Sequence, residues 1–292
     1  MRRIAAVAAG VAVTLGLMWG ALRAGRASGA GAPRSKAAPD SEEPSPAPRV
    51  GREVARFPVG SGLLRALAVG PGDRIYLAGE EGLAVLSPEG RMEARWSGEK
   101  TVSGLAVDEE GFVYLARRDR VEIRDAQGTL RRTWTVSHPG AWITSLAVSD
   151  GELFLADFGC RGIHRCDREG RIRGTFRGTE PEGFVVPSPY FDVAVDPVGY
   201  LWVAHTGRHR LESYRPEGSL VGSWGAFSDG PEGFAGCCNP AHFAIGRDGT
   251  FVTSEKGIVR VKLYDPGGAF LGMAAPPEDF APGDAAPEVA AD

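Results

Sequence analysis

The side chains here that could do chemistry are histidines, cysteines and a few loop carboxylates and aromatics. His205 and His209 are separated by three residues, the spacing of one helical face, but LWVAHTGRHRLESY around them reads as strand, loop, strand. With His242 from a later segment and Glu255 for oxygen, His205 would make a nitrogen–oxygen set that zinc accepts, with a position left open for catalysis. Any metal is therefore expected at His205, His242 and Glu255, and no cofactor is otherwise expected. Each histidine reads equally as a hydrogen-bonding loop residue. Nucleophile and phosphate signatures such as GxSxG, a phosphate loop or HExxH do not occur. A formal net charge of −4 argues against a nucleic-acid surface.

The four cysteines are Cys160, Cys166, Cys237 and Cys238. Adjacent Cys237 and Cys238 could close a vicinal disulfide, bond to two different partners, or bind a metal as thiolates. Cys160 could pair with either, and Cys166 within a strand reads as a small buried hydrophobe. A vicinal pair could also cycle as a redox couple with a partner. Asn239–Pro240 behind them forces a turn that sets how the thiols are presented.

The elements that position these groups are legible as a repeat. Phe191 to Trp224 reads as four short strands, FDVAV, YLWVA, LESYR and SLVGSW, separated by turns carrying Gly, Pro or Asp. The first strand recurs as ALAVGPGD, GLAVDEEG, SLAVSDG, DVAVDPVG and FAIGRDG, which aligns Ala68, Ala106, Ala147, Ala194 and Ala244. Third strands end in SPEG, DAQG, DREG, RPEG and DPGG, and fourth strands are MEARW, LRRTW, IRGTF, LVGSW and FLGMA. A period of about 40–50 residues with four strands per unit predicts an all-β propeller. Blades are expected at about 63–97, 102–135, 143–177, 190–225 and 242–274. Trp96, Trp134 and Trp224 end fourth strands at equivalent positions and read as packing residues.

Through LFLADFGCRGIHRCDREG and LWVAHTGRHRLESYRPEG, the units resemble NHL-repeat propellers over about residues 60–275. GFVVPSPYFDVAVD, GCCNPAHFA and SEKGIVRVKLYD are similar to exported bacterial NHL proteins without an assigned activity. Such propellers serve as enzymes, sensors and scaffolds, so the resemblance implies fold rather than activity. An enzyme reading resembles, in outline, propeller lyases that hold zinc on channel histidines. It would use His205, His242 and His138 as ligands and Tyr190 or Glu255 as acid–base group, although no stretch carries that family's motifs.

The termini extend this reading. Arg2 and Arg3 precede an uncharged apolar run from Ile4 to Leu22, so residues 1–26 read as an export signal, either an uncleaved anchor or a cleaved peptide. Residues 27–50 are Pro, Ala, Ser and charge, and read as a disordered spacer before a propeller at 51–292. Arg52–Pro58 reads as a lone fourth strand that closes the ring against C-terminal strands. From Pro287 the chain matches the start of a first strand, so a six-bladed propeller truncated in its sixth blade is expected.

In a blade, second-to-third loops and blade-to-blade loops share one face, and the unusual residues fall there. The blade-to-blade loops lengthen along the chain to GAFSDGPEGFAGCCNPAH. His205, Glu255, Asp157, Tyr190 and His242 are expected nearest the central channel. The sequence therefore points to an exported, membrane-tethered binding module with a small ligand or an envelope protein as partner. Its face would comprise Trp142, Pro187, Tyr190, His205, His209, Cys237, Cys238, Asn239, His242, Glu255 and Lys256.

Overall fold

The computed structural model describes residues 2–8, 11–17, 47–58, 64–97 and 101–291. Three strands precede the repeats: β1 (Arg2–Ala8), β2 (Val11–Leu17) and β3 (Arg52–Pro58). Blade one contains β4 (Leu64–Gly70), β5 (Arg74–Gly79), β6 (Gly82–Leu86) and β7 (Met92–Trp96). Blade two contains β8 (Gly104–Val107), β9 (Val113–Arg117), β10 (Arg120–Arg124) and β11 (Leu130–Thr135). Blade three is β12 (Ile143–Ser149), β13 (Glu152–Asp157), β14 (Gly162–Asp167) and β15 (Ile172–Phe176). Blade four is β16 (Val193–Val195), β17 (Leu201–His205), β18 (Arg210–Tyr214) and β19 (Leu220–Trp224). Blade five is β20 (His242–Ile245), β21 (Phe251–Glu255), β22 (Arg260–Tyr264) and β23 (Phe270–Ala275), and β24 (Glu288–Ala291) follows.

Each blade is an antiparallel sheet in sequence order, so a local hairpin rule repeated three times builds it. Inner and middle strands carry the apolar residues, whereas the outer strands β11 and β15 are almost wholly exposed. The core lies between neighbouring blades. Tyr114, Ile143, Leu153 and Leu155 fill one such layer, and Trp202, Phe243, Phe251 and Tyr264 another.

The turn before each fourth strand shows why the repeat ends in Gly. Gly128, Gly170, Gly218 and Gly268 all have φ between +82° and +97°. Each also lies beneath the aromatic ring that ends the preceding blade: Trp96, Trp134, Phe176 and Trp224 in turn. A Cβ at Gly170 would sit 2.5 Å from the Trp134 ring, so both the backbone angle and the space demand glycine. Phe57 of β3 covers Gly90 in the same way, which places β3 in the role of a fourth strand beside blade one.

Ring closure corrects the expectation of a six-bladed, C-terminally truncated propeller. Among the described residues five complete four-stranded blades form in sequence order, and the segment from Pro287 is not the start of a truncated sixth blade of that kind. Instead β24 pairs antiparallel with β1, Ile4 opposite Ala291, in a closing sheet of order β24-β1-β2-β3. Arg52–Pro58 pairs with β2 rather than with C-terminal strands. Unpaired N–H and C=O groups on an open strand edge favour this solution, because each chain end supplies partners for the other. Pro48–Val50, the end of the expected spacer, runs parallel to β23 at Met273. The expected export segment falls on β1 and β2 in part; residues 1, 9, 10 and 18–46 lie outside the described residues. No helix of the described residues is long and apolar enough to cross a membrane.

Candidate binding face

The inner strands β4, β8, β12, β16, β20 and β24 line a central channel with a cavity of about 250 Å³. Tyr190, Asp192, His242 and Glu288 belong to its wall. His242 Nδ1 lies 3.4 Å from Glu288 Oε1 and 3.8 Å from Asp192 Oδ2. Backbone N–H groups of Val193 and Phe243 donate to Asp192, as does the Ser145 hydroxyl, so this carboxylate is fixed from three sides. Burial in the channel pushes the Glu288 carboxyl up to about 7; the cationic form of His242 opposes this and the charge of Asp192 adds to it. The Tyr190 ring stands edge-on to His242 at 5.4 Å. Lys256 Nζ lies 4.6 Å over the same Tyr190 ring and donates to Ser188 Oγ at 3.1 Å.

Two further aromatic contacts lie on neighbouring loops, one with a cation and one with an imidazole. Arg118 lies over the Trp142 ring at 5.3 Å, and Phe227, 58% exposed, packs against His209. His209 Nε2–H donates to the carbonyl of Gly236, which joins two loops. Of the expected face, Pro187 and Cys237 are exposed, and Trp142, Tyr190, His209, His242 and Lys256 are partly exposed. Four other members are buried: His205, Cys238, Asn239 and Glu255. Asn239 explains its own burial, since Nδ2 donates to Ala235 O and Lys256 O while Oδ1 accepts from Lys256 N.

His205 and Glu255 are buried for a reason that recurs in every blade but the first. The last residue of the second strand lies diagonally across from the third residue of the third strand, two places beyond its register partner, and the two carry opposite charge or its equivalent. Arg117 meets Glu122 at 3.0 Å, Asp157 meets His164 at 3.1 Å, His205 meets Glu212 at 2.9 Å and Glu255 meets Lys262 at 2.6 Å. In blade one the two positions are Gly79 and Ala84. Asp157, His205 and Glu255 thus face their own blades, which corrects their expected place at the channel; Tyr190 and His242 do line it.

The metal set expected from the sequence is not brought together, because each member is committed elsewhere. His205 Nε2 accepts from Val185 N–H, and so Nδ1–H donates to Glu212. Neither nitrogen of His205 is free. Glu255 is held by Arg260, by Lys262 and by the N–H of Ala235. His242 stays with the channel carboxylates.

A different set of donors converges in blade three: His138, Asp157, Cys160 and His164, with ligand atoms all within 4.8 Å of one another. Asp157 ends β13, Cys160 comes from the β13–β14 loop, His164 from β14 and His138 from the loop entering the blade. Gly159 allows the two loops to touch, since a Cβ there would collide with the carbonyl of Gly140. Burial alone would raise the Asp157 carboxyl. Hydrogen bonds from His164, Trp142 N–H and His138 outweigh it and hold the group well below the usual carboxylate range. Burial, with the charge of Asp157, pushes the Cys160 thiol up to about 11.

All four cysteines are free thiols, in place of the expected disulfides. Cys237 Sγ and Cys238 Sγ lie 3.0 Å apart. Cys238 is lowered: burial acts upward, and Ser188, Cys237 and Lys256 outweigh it. Sequence reasoning missed Asp192 and Glu288 in the channel, Phe227 in the longest loop, and His164 in blade three. For His164 a signal existed, because the aligned repeats place a charged or ionisable residue in that column in four of five units.

No protein-family model and no curated protein matches the sequence. Solved structures do match in fold. The chain is similar to a protein of unknown function from Bacteroides caccae, at 11% identity and TM-score 0.64, over 99% of this chain and 98% of that one. It is similar to a chain of a nidogen/laminin complex at 14% identity and TM-score 0.65, over 100% and 98%. A streptogramin B lyase matches at 15% identity and TM-score 0.54, over 77% and 72%. At these identities the likeness establishes the β-propeller and nothing about activity.

Proposed function

We propose that this protein is an exported NHL-type propeller that binds a partner protein through the loop face around its channel mouth. The observation that carries this reading is a set of aromatic contacts on these loops: Arg118 over Trp142, Lys256 over the channel residue Tyr190, and His209 edge-on to the exposed Phe227. Trp, Tyr and Arg are the residue types that dominate binding energy at protein interfaces. A propeller of similar fold comes from the nidogen/laminin complex, a protein–protein assembly, which supports the reading by analogy of fold. A second reading, a small ligand in the channel, is favoured by the 250 Å³ cavity with His242, Asp192 and Glu288 converging on it. The streptogramin B lyases show that a similar fold can also serve chemistry.

Export rests on the Arg2–Arg3 flank and the apolar run after it. A segment held in a membrane or cleaved away cannot also pair with β24 and β3, so the mature N-terminus separates export from the composite sheet. A periplasmic or secreted protein with residues 1–26 removed, or fixed in the membrane, supports export; full-length soluble protein in the cytoplasm overturns it. For binding, full-length protein and a Trp142→Ala, Tyr190→Ala, Lys256→Ala variant are compared in affinity purification from envelope extracts. A partner retained by the wild type and lost by an equally stable variant supports the face. Identical proteins recovered by both would remove it.

A further inference from the structure

We propose that His138, Asp157, Cys160 and His164 form a four-ligand zinc site that staples the loop entering blade three to the β13–β14 loop. The donor set suits that ion: imidazole nitrogen, carboxylate oxygen and thiolate are all ligands that zinc accepts, and four of them fill a tetrahedral shell.

The geometry is close to what a tetrahedral ion needs. Bonds of about 2.0–2.3 Å place donor atoms roughly 3.3–3.8 Å apart. His164 Nε2 is 3.1 Å from Asp157 Oδ2 and 3.7 Å from Cys160 Sγ, and His138 Nε2 touches the same Asp157 oxygen. The widest separation, within 4.8 Å, closes by about an ångström of loop movement.

Every other polar atom of the nitrogen and oxygen ligands is already fixed. Asp157 Oδ1 accepts from Trp142 N–H at 3.0 Å and from Gly159 N–H at 2.8 Å, which leaves Oδ2 turned to the cluster. His138 Nδ1–H donates to the carbonyl of Pro139 at 3.0 Å, and His164 Nδ1 bonds Thr175 Oγ1 at 2.8 Å. Outer partners of this kind orient metal-bound histidines. Because Nδ1 of His138 is spent as a donor, its Nε2 can face a carboxylate only with a second proton or with a cation between them.

The sibling blades show what is missing here. Blades two, four and five begin their third strands with Arg120, Arg210 and Arg260; Arg210 and Arg260 donate to the buried carboxylate of their blade, and Arg120 lies 3.9 Å from Glu122. Blade three has Gly162 at that position, and a Cβ there would already lie 3.4 Å from Cys160 Sγ. The arginine is thus absent here, and the close approach of Phe176, Arg177 and the Cys160 thiol leaves no room for one at Gly162. Arg177 packs beside Gly162 on this side, and its positive charge works against a bound cation. Loading Zn²⁺ releases the Cys160 thiol proton and the proton between His138 and Asp157 to solvent, leaving thiolate and neutral imidazoles as ligands.

The test uses the full chain, reduced and freed of metal by chelator, then titrated with Co²⁺ as a spectroscopic probe. The expected result is one Co²⁺ per chain with tetrahedral visible bands and a thiolate charge-transfer band, displaced by one Zn²⁺. C160S loses the charge-transfer band, and T175V, changed at a partly solvent-facing outer strand, weakens affinity by about 10–100-fold. A C237S/C238S double variant keeps both signals. Two results overturn the proposal: no stoichiometric uptake by folded protein, or uptake that survives in C160S with an unchanged spectrum.

Discussion

Blades three and five fill the same two register positions with opposite logic. In blade five Glu255 and Lys262 are both 0% exposed and form a closed group with Arg260, all of it inside the protein's own hydrogen bonds. In blade three Asp157 is equally buried, yet its partners are two imidazoles, one of them on a loop with its side chain 27% exposed. A fixed guanidinium neutralises a carboxylate permanently, whereas imidazoles do so only when protonated or bridged by a metal. One repeat thus yields a structural ion pair in one blade and a donor set in another, with His164 where blade five has Lys262, Gly162 where it has Arg260, and His138 and Cys160 brought in by loops.

The largest expected effect breaks the closed group. Glu255→Gln leaves Arg260 and Lys262 buried without a carboxylate and is expected to cost about 3–5 kcal/mol in urea unfolding. A loss below about 1 kcal/mol would show that blade five is no better closed than blade three. Lys262 limits the cost by shedding its proton, since burial already brings it down to about 8 against the pull of Glu255.

Blade four supplies a titration. Burial acts upward on Glu212, but hydrogen bonds from His205, Tyr214 and Arg210 outweigh it and set the group at about 2, below its ordinary 4.5. A carboxylate lowered on folding contributes stability above the unfolded value, and that contribution is lost as pH falls from 4.5 through about 2. The shift is on the order of 3 kcal/mol. Glu212→Gln is expected to flatten the acid limb of the stability curve, and an unchanged limb counts against the pair. Third in size comes a control outside both clusters. Gly218→Ala, at φ +97° and 2.6 Å from the Phe176 ring, is expected to cost about 1–3 kcal/mol in the same assay.

These contrasts show what the sequence could and could not carry. Blade register was legible because Ala68, Ala106, Ala147, Ala194 and Ala244 mark the inner strands and a glycine under an aromatic ends each third strand. Closure was not, since pairing Ile4 with Ala291 joins the two ends of the chain and no local spacing encodes it. Tyr190 and His242 were found because the loops flanking inner strands open on the channel. His205 and Glu255 were placed at that channel because their strand position was read without the residue facing them across the hairpin. Cross-strand partners seven positions away, such as Lys262 for Glu255 or Glu212 for His205, are visible only once the register is fixed. His164 was missed for that reason.

The smallest effect separates the two blades most sharply. His138 is partly solvent-exposed, so in chelated protein its pairing with Asp157 is screened and His138→Ala should cost no more than about 1 kcal/mol. Zinc changes that balance by binding the native state, and stabilisation by a ligand grows with its concentration over the dissociation constant. Wild-type protein should therefore melt higher with zinc, and His138→Ala should show a smaller rise or none. Glu255→Gln, by contrast, should be equally weakened with and without zinc, because blade five holds no donor for the ion to replace. If zinc moves the wild type and His138→Ala alike, the metal acts elsewhere, and blade three is a weaker copy of the ion pair in its neighbours.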